Sequence, residues 1–160
     1  MNKNSINRDE LYEIVLKFRN AIDDILDLGG FYPNFLLNSF PSGCCDITSD
    51  FLHKYLLDNF DISTKQVSGY CKVIDCRHCW LQTEDGIIID ITGNQYVKLN
   101  LSKCYVDKAN KIYESFKDLE YYYYNRDIFD DNGLLVKSRF EMKKIMAYKM
   151  IVDKINDNYK

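Results

Sequence analysis

The chain has few histidines and few prolines: His53 and His78, Pro33 and Pro41, among 160 residues. With two imidazoles available, any histidine chemistry rests on one of them. His53 falls inside a helical pattern, and His78 lies in a strand-like stretch. No segment approaches the length of apolar sequence needed to cross a bilayer, so no membrane partner is expected. The opening residues, MNKNSINRDE, hold no apolar run. A signal peptide is therefore not expected, and a cytoplasmic location is; release by a non-standard route would leave no mark in the sequence. A net charge of −3 without a basic stripe argues against nucleic acid as a partner. Self-similarity at a fixed period is missing too, which excludes solenoids and propellers. The one Cys-x-x-Cys, Cys76 to Cys79, has no second pair at zinc-ribbon spacing, since Cys44-Cys45, Cys71 and Cys104 are wrongly placed. Neither a metal nor another cofactor is expected.

What is present is an ordinary globular composition, 46% hydrophobic and 28% charged. The length suits one domain over residues 1–160 with a sizeable core; the oligomeric state is not legible. Six cysteines without an export signal point to free thiols. From Asn7 to Leu28 the pattern is helical. Asn7 with Glu10 forms a capping box, Ile6 against Leu11 a hydrophobic staple, and Gly29-Gly30 a stop. Leu11, Val15, Phe18, Ile22 and Ile25 make its apolar face. Phe31 to Ser42 reads as loop, and a second, buried helix starts at Cys44 or Cys45 and runs to about Asn59. Lys65 to Ile74 reads as a strand, with Val67, Gly69, Cys71 and Val73 alternating. Short strands are expected at Cys104–Val106 and Lys111–Tyr113. Val97–Cys104 is ambiguous, and Lys117–Phe129 takes no assignment. Asp131-Asn132-Gly133 is a turn. Ser138 with Glu141 caps a last helix to about Asn156, its inner face Met142, Ile145, Tyr148, Val152 and Ile155.

The stretch Arg77 to Thr92, RHCWLQTEDGIIIDIT, reads as a β-hairpin, and its loop length decides its chemistry. A two-residue loop would pair Leu81 with Asp90 and set His78 and Asp90 on opposite faces. A three-residue loop, Glu84-Asp85-Gly86, pairs Thr83 with Ile87, Trp80 with Asp90 and His78 with Thr92. His78 and Asp90 then become diagonal neighbours on one face. That loop wants a left-handed residue at its end, and Gly86 is there, so positive φ is predicted at Gly86. Ile87, Ile88, Ile89 and Ile91 are apolar on both faces, so the second arm should be interior. Asp90 is the one charge in that run and needs a partner, and His78 is on offer.

A cysteine in the first turn of the second helix would meet unpaired N–H groups and the positive end of the helix dipole. Both favour thiolate, and the same N–H groups suit an oxyanion. Helical phase leaves Cys44 and Cys45 both open. At FPSGCC with TSDFL, then HCWLQ, then IIIDITGNQY, the chain resembles the papain-like and transglutaminase-like cysteine protease superfamily, in particular small transglutaminase-like bacterial proteins. The resemblance covers about a third of the chain. It implies an α+β fold in which a central helix packs on an antiparallel β-sheet, with N- and C-terminal helices added. It sets the nucleophile at Cys45, with His78 as general base and Asp90 as the group that orients His78. The implied activity is thiol-dependent acyl chemistry on a peptide or other amide substrate, by hydrolysis or transfer. The alternative is a catalytically inactive member of the fold serving as a binding module. Trp80 is placed to shield the pair from water, and Thr92 and Gln95 to hold the Asp90 strand. A side-chain oxyanion donor at Asn38 or Ser39 is left open.

Overall fold

The computed structural model describes residues 6–122 and 139–159, with the side chains of 139 and 140 left out. Among the described residues, four α-helices accompany five strands in one antiparallel sheet, an α+β architecture. The helices are α1 (Arg8–Asp27), α2 (Cys45–Phe60), α3 (Lys111–Glu114) and α4 (Arg139–Asn158). The strands are β1 (Thr64–Cys71), β2 (Cys76–Thr83), β3 (Ile88–Asp90), β4 (Tyr105–Asp107) and β5 (Lys117–Tyr122), in the order β4-β3-β2-β1-β5. Among the described residues, no helix is long and apolar enough to cross a membrane.

The first helix follows its sequence signals. The Asn7 side chain accepts the Glu10 N–H at 2.9 Å, and the Glu10 carboxylate accepts the Asn7 N–H at 3.2 Å. These bonds satisfy two of the donors that a helix start leaves orphaned. Gly29 and Gly30 take φ of +115° and +86° and return their N–H groups to Leu26 and Ile25. The stripe Leu11, Val15, Phe18, Ile22 and Ile25 is buried throughout. Each such side chain contributes about 1.5–3 kcal/mol by leaving water.

The two faces of the sheet carry separate cores. Leu81, Ile89, Ile91 and Val106 pack with the apolar faces of α1, α2 and α4. Val67, Cys71, Trp80 and Ile88 pack with Leu101, Tyr113 and Phe116 on the other side. Ile88 and Ile89 are neighbours in β3 and fall into different cores, so this strand is covered on both sides as its composition predicts. The predicted register of the hairpin holds as well. Leu81 pairs with Ile89 and Gln82 with Ile88, and the Thr83 N–H reaches the Ile87 carbonyl at 3.0 Å. The loop is therefore Glu84-Asp85-Gly86, and Gly86 has φ +82°.

Four expectations are corrected. The first strand ends at Cys71, because Lys72 to Asp75 turn the chain into β2, with Asp75 at φ +51° and its carboxylate accepting the Tyr70 hydroxyl at 2.6 Å. Val73 is thus 70% exposed at the turn instead of alternating inward. Lys111–Tyr113 is helix, not strand: Asn110 accepts the Ile112 and Tyr113 N–H groups and caps α3. The strand expected at Cys104–Val106 lies one residue later, at Tyr105–Asp107. On α4 Met142 is 47% exposed. The helix is rotated so that Lys144, Ala147 and Ile151 point inward with Ile145, Tyr148 and Ile155, and Lys144 meets the Asp50 carboxylate at 3.0 Å. The ambiguous Val97–Cys104 stretch holds a short 3-10 turn at Val97–Leu99. The Asp131-Asn132-Gly133 turn and the Ser138 cap lie outside the described residues.

Candidate active site

Asp90 ends β3 on the same face as Trp80, pointing into the second core. It is 2% exposed, and its carboxylate is fully used. One oxygen takes the His78 Nε2–H at 2.7 Å and the Tyr113 hydroxyl at 2.8 Å. The other takes the Thr92 N–H at 2.8 Å and the Thr92 hydroxyl at 3.2 Å. Burial works against the ionised form, but His78 and these donors outweigh it and hold the carboxyl below its ordinary range. His78 is 1% exposed. Burial opposes its charge too, yet Asp90 first and Cys45 second push the imidazole up to about 9. Its other ring nitrogen, Nδ1, is buried and has no hydrogen-bond partner among the described residues. The ring is therefore clamped at one nitrogen and open at the other.

The two adjacent cysteines separate cleanly. The Cys44 sulfur is fully buried, donates to the Leu36 and Ser42 carbonyls at 3.2 Å, and is pushed up to about 11 by burial and by Asp46. Cys45 opens α2 half-buried, and its thiol is held well below the ordinary range. The largest cause is the Cys79 thiol, which donates to the Cys45 sulfur across 3.1 Å; burial opposes, and the His78 imidazolium and the Cys79 backbone N–H add to the lowering. Cys79 goes the other way, because a second thiolate beside the first is penalised. Both shifts run in the direction of a Cys45 thiolate beside a protonated His78.

The strand alternation explains how both neighbours reach one sulfur. Cys79 faces the layer of helix α2, whereas His78 faces the opposite core with Trp80 and Phe116. Strand β3 pairs with β2 at Leu81 and Gln82 and goes no further. Beyond those residues β2 has no strand on that side among the described residues, and the amino end of α2 meets β2 where Cys45 contacts Cys79. The Cys45 and Asp46 N–H groups in that first turn have no acceptor among the described residues, while Ile47 N–H is taken by the Asp46 carboxylate at 2.7 Å.

Loops lock these pieces together. Gln95 accepts the Gly43 N–H at 3.2 Å and donates to the Thr92 carbonyl at 3.0 Å, joining the cysteine loop to the aspartate segment. Tyr96 lies edge-on to the His78 ring at 5.0 Å and donates to the Arg77 carbonyl. Gly93 is required by close approach: a Cβ there would stand 2.8 Å from Asp90 Oδ2 and 3.0 Å from Leu101 Cβ. Asp90 is pinned by four bonds and cannot yield. Gly93→Ala is therefore expected to lower unfolding stability by about 1–3 kcal/mol, read as a lower urea midpoint at unchanged slope. A variant as stable as the parent would show that the carboxylate is free to shift.

Comparison with protein-family models, curated proteins and solved structures found no match. The functional case therefore stands on the residues themselves.

The structure brings His78 and Asp90 into contact, and sets Cys45 at the amino end of α2 within reach of the His78 charge. Trp80 packs on the His78 ring, and Thr92 and Gln95 hold the Asp90 segment as expected. Asn38 is not turned to the site; it accepts the Phe31 N–H and donates to the Tyr32 carbonyl. Cys76 and Cys79 fall on opposite faces of β2, which no shared metal ion could bridge, and no group of three metal-ligating side chains is found among the described residues. Three participants carried no sequence signal. Tyr113 and Phe116 sit in a segment that reads as strand or as nothing, and Cys79 reads as half of a Cys-x-x-Cys. The Asn110 cap was the available clue to the helix that delivers Tyr113.

Proposed function

We propose that the chain is a papain-like or transglutaminase-like domain that carries out thiol-dependent acyl chemistry on a peptide or other amide through Cys45, His78 and Asp90. The observation that carries this reading is the clamped imidazole. His78 is fixed by a buried Asp90 at Nε2, and its free Nδ1 and raised proton affinity are matched by a thiol of lowered affinity at a helix start.

The Cys45 thiolate attacks the amide carbonyl carbon, and the carbonyl oxygen takes the negative charge. The unpaired Cys45 and Asp46 N–H groups at the head of α2 are placed to bind that oxyanion. The His78 imidazolium gives its Nδ1 proton to the leaving amine, which departs and leaves an acyl thioester. Neutral His78 then takes a proton from water or from an acceptor amine, which attacks the thioester and releases Cys45. Asp90 keeps the ring in one orientation and balances its charge throughout. The alternative, a binding module that keeps the fold without the chemistry, is favoured by one observation: the Cys45 sulfur already has a hydrogen-bond partner in the Cys79 thiol, which competes with His78 for it.

The pH profile of Cys45 alkylation by iodoacetamide, read by peptide mass, decides between them. The enzyme reading expects rapid alkylation down to the acid range, with the low-pH rate falling at least about tenfold in His78→Ala, since each unit of thiol pKa is a factor of ten there. Alkylation that rises only near the ordinary thiol range in the parent protein would favour the binding module.

A further inference from the structure

Cys79 takes no part in the acyl mechanism, yet its sulfur is hydrogen-bonded to the proposed nucleophile. The two sulfurs stand 3.1 Å apart, and a disulfide needs about 2.05 Å, so a shift of about 1 Å joins them. The pair bridges two elements, the first turn of α2 and the middle of β2. The other four cysteines are not so placed. Cys44 is tied to carbonyls of its own loop, Cys71 contacts Ser115, and Cys104 is buried near Arg19. Cys76 lies at the strand end against Arg77 and Tyr96. Cys45 is also partly open to solvent while Cys79 is buried, so an oxidant meets Cys45 first.

We infer that Cys45 and Cys79 are a reactive and a resolving cysteine, which a hydroperoxide converts to a reversible disulfide that closes the active site. The Cys45 thiolate attacks the terminal oxygen of the hydroperoxide. The O–O bond breaks, the alkoxide or hydroxide leaves with a proton from the His78 imidazolium, and Cys45 becomes a sulfenic acid. The Cys79 sulfur then attacks the Cys45 sulfur. The S–O bond breaks, and hydroxide leaves as water with the Cys79 proton. Two thiols and one hydroperoxide give one disulfide, one alcohol or water, and one water. Oxidation of Cys45 also removes the negative charge that keeps Cys79 protonated, so the resolving thiol is released when it is needed. The inference rests on Cys45 being the reactive thiol of the proposed site, and not on which substrate that thiol acylates.

The test treats the full chain with a few equivalents of hydrogen peroxide, blocks remaining thiols, and maps tryptic peptides with and without dithiothreitol. Trypsin cuts after Arg77 and so separates Cys76 from Cys79. The expected product is a Cys45–Cys79 cross-link that dithiothreitol removes, with acid-range alkylation of Cys45 lost and then regained in step. In Cys79→Ser, Cys45 should pass on to the sulfinic acid, several-fold faster than in the parent. A parent protein whose Cys45 goes to sulfinic acid with Cys79 still blockable, or pairs with Cys44 or Cys76, overturns the inference. So does a parent that alkylates fast at acid pH but forms no cross-link, and that outcome leaves the acyl proposal standing. A cross-link formed without acid-range alkylation beforehand would sink the acyl proposal instead.

Discussion

Asp90→Asn is expected to leave the fold standing and to cut the acid-range reactivity of Cys45 at least about tenfold. The amide copies the carboxylate in shape, and its oxygen can still accept from Thr92. Its nitrogen is a donor, however, and faces His78 Nε2. That nitrogen must then accept, so the single ring proton moves to Nδ1, the position from which a base would have to work. The larger of the two influences that held His78 at about 9 is gone as well, so burial, opposed now by Cys45 alone, favours the neutral ring. The Cys45 thiolate loses its cation and keeps only the help of Cys79. Alkylation at pH 6 should slow at least about tenfold; under the proposed acyl chemistry, turnover should fall on the order of 10⁴-fold, the scale seen when a triad histidine is forced into the wrong tautomer. Stability should change in the opposite sense at low pH. The Asp90 carboxyl is held below its ordinary range, so its contribution is complete above the unfolded value near 3.9 and drains away as pH falls through the folded value. The asparagine variant should lose less stability between pH 4 and 2 than its parent. Acid-range alkylation that survives in Asp90→Asn would show that the carboxylate does not govern the sulfur.

How much of this was legible in the sequence follows from the range of each signal. The α1 cap, its stop and its stripe are local, and each reads directly from a few residues. The hairpin was legible because side-chain faces alternate with period two, so a three-residue loop with a terminal glycine fixes which residues meet. That argument brought His78 and Asp90 together from the sequence. The choice of Cys45 over Cys44 was not legible in helical phase, since both lie at the cap. The two sulfurs part only in the third dimension, where the Cys44 sulfur turns to Leu36 and the Cys45 sulfur to β2. The role of Cys79 was hidden for a related reason. Alternation correctly puts it on the face opposite His78, but nothing in the chain says that β3 stops short and lets α2 stand at the strand edge. Tyr113 was missed because three residues cannot show a helical period, and tertiary cover over Trp80 and His78 decides their state.

The last strut is Arg19, a charged residue on the buried side of α1, and Arg19→Met should show how far the site depends on it. The side chain is 4% exposed and lies over the Phe40 ring, its guanidinium carbon 4.3 Å from the ring centre. Its fork donates to the carbonyls of Ile91 and Lys103, to the Asn94 side chain and to the Asp23 carboxylate. Ile91 lies between Asp90 and Thr92, and Phe40 precedes the Pro41–Gly43 loop that leads to Cys45. One guanidinium thus ties the aspartate segment and the cysteine loop to the same helix. Methionine fills most of the volume but leaves the buried Ile91 carbonyl and the part-buried Lys103 carbonyl and Asn94 amide without this donor, and leaves Asp23 with only the more distant Lys103. Removing one member of such a buried polar set costs about 3–5 kcal/mol, a large share of the ~5–15 kcal/mol that holds a domain together. For a chain of this length that corresponds to a fall of about 6–20 °C in Tm. Arg19→Lys keeps the charge but has no planar fork to span several acceptors, so it should recover less than half of the loss. Thermal unfolding measures both. Alkylation of Cys45 at pH 6, well below the melting range, asks whether the loosened Ile91–Asn94 segment lets Asp90 drift from His78; a slower rate in a protein that is still folded is the expected result. A methionine variant that melts with the parent would mean that the carbonyls find water in place of the guanidinium, and that the Gln95 bridge between the two segments suffices.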